Sequence, residues 1–211
     1  MRIRKWIRST LLAASTFAWL ACATTTFQST WRSPDAQPLQ LRGRKVVAVF
    51  ISRDPLLRQR AEDAMAREIS ARGAEGVPAY TFLSDRDVKD RDAAKAKAEA
   101  LGFSGAVVMR VVGSETVYTY TPRSAIWISS PYRQLWGGYW GWGWATVLQP
   151  GNLPVDRIVK IETLVYSLDQ DRLVWAGVSR TLDPGRIENF IAELAEAVSR
   201  QMAREGLLTR T

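Results

Sequence analysis

The sequence predicts an α/β fold: a βαβαβ sheet extended by a C-terminal antiparallel hairpin and closed by a final packing helix. Three observations carry that expectation. Two short, nearly continuous apolar runs, Lys45–Ile51 and Gly105–Val112, read as strands buried on both faces. The chain between them places apolar residues at three- and four-residue spacing, the period of helices packed on a sheet. From Val155 onward apolar and polar residues alternate, break at a turn and resume, which is the pattern of a hairpin.

The first 21 residues stand apart from that plan. Arg2, Arg4, Lys5 and Arg8 precede a largely apolar run, Leu11–Leu20, and then Ala21. A cationic start, a short apolar stretch and a small residue form the grammar of a secretion signal. The run is too short for a transmembrane helix, which needs about 20 apolar residues. Residues 22–43 are rich in Thr, Ser, Gln and Pro and read as a tether. The tether holds one short extended segment, Thr26–Arg32, which Trp31 and Pro34 tack onto the domain. A single domain is expected over 44–208, with an aromatic and Gly-rich loop or hairpin inserted at 121–154.

Within the domain, Lys45–Ile51 is the first strand and Ser52–Pro55 turns into a helix from about Leu56 to Arg72. Leu57, Ala61, Ala64, Met65, Glu68 and Ile69 mark its inward stripe, and Gly73 stops it. Val77–Phe82 reads as the second strand. Asp85 or Asp87 can cap a second helix, which runs through an alanine-rich stretch to Leu101-Gly102. The third strand, Gly105–Val112, continues in alternating form through Val117, Tyr118 and Tyr120. Val155–Leu168 and Leu173–Ser179 form the hairpin around a turn at Asp169–Arg172. Pro184-Gly185 then breaks the chain before a last helix, Arg186 to about Arg204. Ile187, Phe190, Ile191, Leu194, Ala197, Val198 and Met202 make its apolar stripe, and Gly206 ends it.

What is missing narrows the chemistry. The 211 residues contain no histidine and one cysteine, so Ser-His-Asp, Cys-His and His-ligated metal sites are ruled out. The formal charge is +8, of which four cations lie in the signal, leaving a mild +4 with arginines dispersed among acids. That is no nucleic-acid footprint. No cofactor is implied, and no catalytic residue is singled out. Carboxylate chemistry stays open, with Glu115 or Glu162 near an aromatic platform as the form it would take in a cell-wall or polysaccharide-acting enzyme.

Cys22 directly follows Ala21, and a cysteine at that position resembles the lipobox of bacterial lipoproteins. The alternative is an ordinary cleaved signal followed by an incidental cysteine. The core and turn positions add a second resemblance. Arg60-Ala61-Glu62-Asp63-Ala64, Gly73, Ala100-Leu101-Gly102 before Gly105-Ala106-Val107-Val108, Leu173-Val174-Trp175 and Gly206-Leu207-Leu208 together resemble a group of uncharacterised bacterial lipoproteins. Their βαβαβ plan is similar to that of the TolB N-terminal domain and the curli-secretion lipoprotein. The resemblance implies a palmitate-bearing anchor at Cys22, a domain facing the periplasm and no transferable catalytic residues. Ala23 stands where Asp would resemble an inner-membrane retention signal, so the outer membrane is expected.

The remaining feature is Trp136-Gly137-Gly138-Tyr139-Trp140-Gly141-Trp142-Gly143-Trp144, which holds four of the chain's nine tryptophans. In extended form Trp136, Trp140, Trp142 and Trp144 share one face, and Tyr139 lies among glycines on the other. Three readings are open: rings folded back over the sheet, a contact with the membrane interface, or a surface for a glycan or an envelope protein. The function that follows is a lipid-anchored envelope protein that binds or scaffolds.

Overall fold

The two apolar runs set the architecture. The computed structural model describes residues 25–37, 39–84, 86–87, 90–116, 157–182 and 186–208. In chain order its elements are β1 (Thr25–Arg32), β2 (Lys45–Ile51), α1 (Pro55–Ala71), β3 (Glu75–Pro78), α2 (Arg91–Ala100), β4 (Phe103–Thr116), β5 (Arg157–Ser167), β6 (Arg172–Leu182) and α3 (Ile187–Arg204). One six-stranded mixed sheet runs in the order β1-β6-β5-β4-β2-β3. β2 is parallel to both β3 and β4, whereas β4, β5, β6 and β1 pair antiparallel in turn. This is the expected α/β sheet with its C-terminal hairpin and final helix.

Alternation along the strands builds two cores. Val46, Ala48 and Phe50 of β2 face one side, where Met65 and Ile69 of α1 and Leu194, Val198 and Met202 of α3 cover them. Val47, Val49 and Ile51 face the other, where Ala94 and Ala98 of α2 pack with Phe103, Ala106 and Val108. Small alanines let α2 lie close. The hairpin obeys the same period, with Val159, Ile161 and Val165 in the first core and Leu164 and Tyr166 in the second.

Three local expectations differ from the structure, each for a stated reason. The segment assigned to a tether supplies β1, and Leu41 beyond it is fully buried, its N–H bonded to the Leu207 carbonyl. Phe27 and Trp31, four residues apart, would share one face of a regular strand. A bulge between Phe27 and Ser29 shifts the register, so Phe27 joins the first core and Trp31 the second. The strand expected over Val77–Phe82 instead spans Glu75–Pro78 and turns into a 3-10 helix at Ala79–Thr81. Pro78 has no N–H for a ladder, and the Tyr80 N–H donates to Glu62 rather than to a strand. β3 also runs hard against α1: a Cβ at Gly76 would overlap the Ala66 carbonyl, so glycine is required there.

The third difference is the start of α2. Asp90 caps it, accepting from the Asp92 and Ala93 N–H groups. Asp85 lies outside the described residues. Asp87 accepts from the Ser84 N–H and hydroxyl and from Lys97 Nζ at 2.6 Å, pinning the loop to the helix it precedes. The bond from Lys97, followed by those from Ser84, holds the Asp87 carboxyl at about 2 against an ordinary 3.8. A depressed carboxyl stabilises the fold above its unfolded pKa and loses that contribution as pH falls through the folded one. Asp87→Asn is therefore expected to flatten the loss of stability between about pH 4 and pH 2, read as urea midpoints across that range. An unchanged acid slope would show that Asp87 is not a source of it.

Candidate functional site

The sequence-predicted contact residues Trp136, Tyr139, Trp140, Trp142 and Trp144, and the lipidation candidate Cys22, lie outside the described residues. The structure does place the points where their segments join the domain. Thr25, the first residue of β1, pairs with Thr181, Ile158 pairs with Leu182, and Thr116 pairs with Arg157. These registers bring the start of β1, the end of β4, the start of β5 and the end of β6 to one end of the sheet. Because β2 runs parallel to β4, its last residue Ile51 points to that end too. So do the starts of α1 and α3, which an Arg60–Glu188 ion pair of 2.6 Å ties together.

That end is anchored by a buried bond. Thr25 and Thr181 share a hydrogen bond of 2.7 Å between their hydroxyls. Behind it, Trp175 is completely buried, edge-on to Phe27 at 6.0 Å, with its ring lying over Gly177. A side chain at Gly177 would displace the indole. The Trp that sequence reading placed in the hairpin strand is thus a core residue.

Two buried carboxylates organise the site's surroundings. Glu162, one of the two acids considered for catalysis, accepts from Arg110 Nε at 2.9 Å across β4 and β5. Both residues are buried, at 2% and 5% exposure. Their neighbours Ile161, Met109 and Val111 belong to the first core, so the pair lies on the second face of the sheet. Glu115 sits near the end of β4, and its side chain lies outside the described residues. Glu62 is the acid that sequence reading did not single out. It accepts from Arg58 Nε, the Phe50 N–H and the Tyr80 N–H, and so latches α1 to the end of β2 and to the turn after β3. Burial pushes its pKa up, against the pull of Arg58. Tyr80 in turn donates to Asp63 at 2.8 Å, and that bond pushes the phenol up. The available signal for Glu62 was an acid one turn after Arg58 beside an apolar stripe.

A groove of about 500 Å³ runs between β1 and α3, lined chiefly by Thr26, Gln28, Thr30, Arg200, Gln201 and Arg204. Its walls offer hydroxyls, amides and guanidinium groups, and Arg200 is bridged to Glu196 at 3.1 Å. Such a surface suits hydrogen bonding and lacks a nucleophile–base pair. Among the described residues no cluster of three or more His, Cys, Asp and Glu could hold a metal ion, and no helix is long and apolar enough to cross a membrane.

The Arg110–Glu162 pair has a clear energetic signature. Removing one partner takes a direct counter-charge from a buried group, so Arg110→Met alone is expected to destabilise the fold, by up to about 3–5 kcal/mol. Arg110→Met combined with Glu162→Leu is expected to recover most of that loss in chemical denaturation. Additive losses would mean that the two side chains act separately.

Neither a family model nor a curated protein matches the sequence. Among solved structures, the chain is similar to two PelC dodecamer structures from Paraburkholderia phytofirmans, one of them a point variant. For the variant, identity is 12% and the TM-score 0.44, over 81% of this chain and 95% of that one. For the other, identity is 10% and the TM-score 0.43, over 87% and 99%. Likeness at this level bears on neither the activity nor the partners of this chain.

Proposed function

We propose that this chain is a periplasm-facing, lipid-anchored binding or scaffold protein of the bacterial cell envelope, held at the outer membrane through Cys22 and performing no catalysis. The observation that supports this most is the shortness of the link between Cys22 and the fold. Two residues, Ala23 and Thr24, separate Cys22 from Thr25, which is buried and hydrogen-bonded to Thr181. Fully extended, that link spans about 10 Å. A lipid on Cys22 therefore holds the domain directly at the bilayer rather than on a long leash. Glu162, offered as an acid for polysaccharide chemistry, is engaged by Arg110, which favours binding over catalysis. The segment with Trp136, Tyr139, Trp140, Trp142 and Trp144 is the proposed contact surface for an envelope protein or glycan.

Palmitate fed to expressing cells is expected to label the wild-type protein and not Cys22→Ser; equal labelling of both removes the anchor. Replacing Trp140, Trp142 and Trp144 together by Ala is expected to reduce recovery of crosslinked envelope partners several-fold without moving the thermal midpoint. A variant that unfolds instead would assign those rings to the core and end the contact reading.

A further inference from the structure

We infer that the groove between β1 and α3 takes an extended peptide, added as a further strand to the free edge of β1 and bearing carboxylates on the side that faces α3. Consecutive residues of β1, Thr25 through Thr30, all line this groove of about 500 Å³. Successive side chains of a strand point to opposite faces, so a groove lying against one face would touch only alternate residues. Lining by every residue in turn places the groove along the backbone edge. Among the described residues β1 is the outermost strand at its side of the sheet. The Ser33 N–H donates to the Val174 carbonyl, and the ladder continues through Trp31 opposite Ala176. Backbone direction alternates with each residue, so the N–H and C=O groups of Thr30 and Arg32 point away from β6. Thr26, Gln28, Thr30 and Arg32 are all exposed along it.

The two edges of the sheet are built differently. β3, at the other edge, spans four residues, gives its Gly76 N–H to Ser70 Oγ and ends at Pro78, so it offers little to another strand. β1 spans eight residues without a proline, and Arg32 is its only charge. Such an edge presents donors and acceptors at strand spacing, which another extended backbone matches along its length. α3 supplies the second wall, where Ala197, Arg200, Gln201 and Arg204 follow the spacing of one helix face. Among the described residues no carboxylate lines the groove. Glu196 reaches Arg200 at 3.1 Å from outside the lining, with both side chains about half exposed. A bridge so exposed is weak, and an entering carboxylate can share the guanidinium. Beyond Thr30, Arg32 Nη1 donates to the Glu205 carbonyl at 3.0 Å and ties β1 to the end of α3. The bulge between Phe27 and Ser29 bends the edge. A short flexible segment can follow that bend, which disfavours the rigid edge of a second copy. The groove uses neither Cys22 nor the tryptophan segment, so the inference stands apart from the anchor.

The probe is a fluorescein-labelled octapeptide alternating valine with glutamate, added to the purified protein and read by fluorescence anisotropy. It is expected to bind, and a valine–lysine counterpart to bind at least about ten-fold more weakly. A version N-methylated at every residue keeps the side chains and charges but cannot donate from its backbone, and it should lose at least about ten-fold in affinity. Thr30→Pro removes a donor that faces away from β6, a change that an edge strand tolerates, and should weaken binding about ten-fold. Arg200→Ala with Arg204→Ala should weaken it at least about five-fold and erase the preference for glutamate over lysine. Circular dichroism should show the variants folded, and if Thr30→Pro does not fold, the N-methylated peptide decides the backbone contact. No binding, equal binding of the N-methylated peptide, or undiminished binding by the arginine variant would overturn the inference. Self-association of the protein that excludes the peptide and disappears in Thr30→Pro would give the edge to a second copy and overturn it as well.

Discussion

Burial of β2 and β4 on both faces is the constraint from which the rest of the molecule follows. Neither strand offers a polar face to water, so the sheet needs cover on two sides at once. α1 and α2 provide it by crossing on opposite faces as the chain goes from β2 to β3 and then to β4. α3 completes the first layer, and its stripe of Phe190, Ile191, Leu194, Val198 and Met202 is buried for that reason. The connections also settle where the chain's joins fall, since each helix must begin where its preceding strand ends. The cluster of element starts at one end of the sheet is thus a by-product of covering its middle.

Inside this apolar frame a few polar groups carry specific information. Glu62 receives two backbone N–H groups from different elements and one guanidinium, so three segments must meet at a single carboxylate. An apolar residue of the same size could fill the volume but could not dictate that meeting. Arg110 and Glu162 act similarly across β4 and β5, where a slip of one residue would send both to the opposite face. Glu68 does related work at the helix–helix contact, accepting from Ser199 of α3 while paired with Arg72 of its own helix. These groups trade desolvation for register.

What the sequence made legible was whatever repeats along the chain. Lys45–Ile51, the stripe of the first helix and the alternation of Val155–Leu168 each follow one period, and the structure keeps them within a residue or two. Features that depend on a distant partner were not legible. Thr26–Arg32 was legible as an extended segment, but its place at the edge of the sheet was not, because its partner β6 lies some 150 residues later. The second strand was placed too late because the group that captures the Tyr80 N–H, Glu62, lies on another element. Of the candidate site, Cys22 and the tryptophan segment stand out by composition, and both lie outside the described residues. Glu62 was not legible, since the Phe50 and Tyr80 N–H groups that it receives reach it only after the helix has packed on the sheet.

The pairing of β1 with β6 also bears on the order in which the molecule forms. Thr25 and Thr181 are 156 positions apart, whereas the βαβ units and the β5–β6 hairpin close over far shorter stretches. Closing the longer loop costs more chain entropy, so short-range units form first. The segment that leaves the ribosome earliest is therefore the last to find its place. The edge that β6 presents is complete before β1 reaches it, and the last step of folding adds one strand to a finished five-stranded sheet.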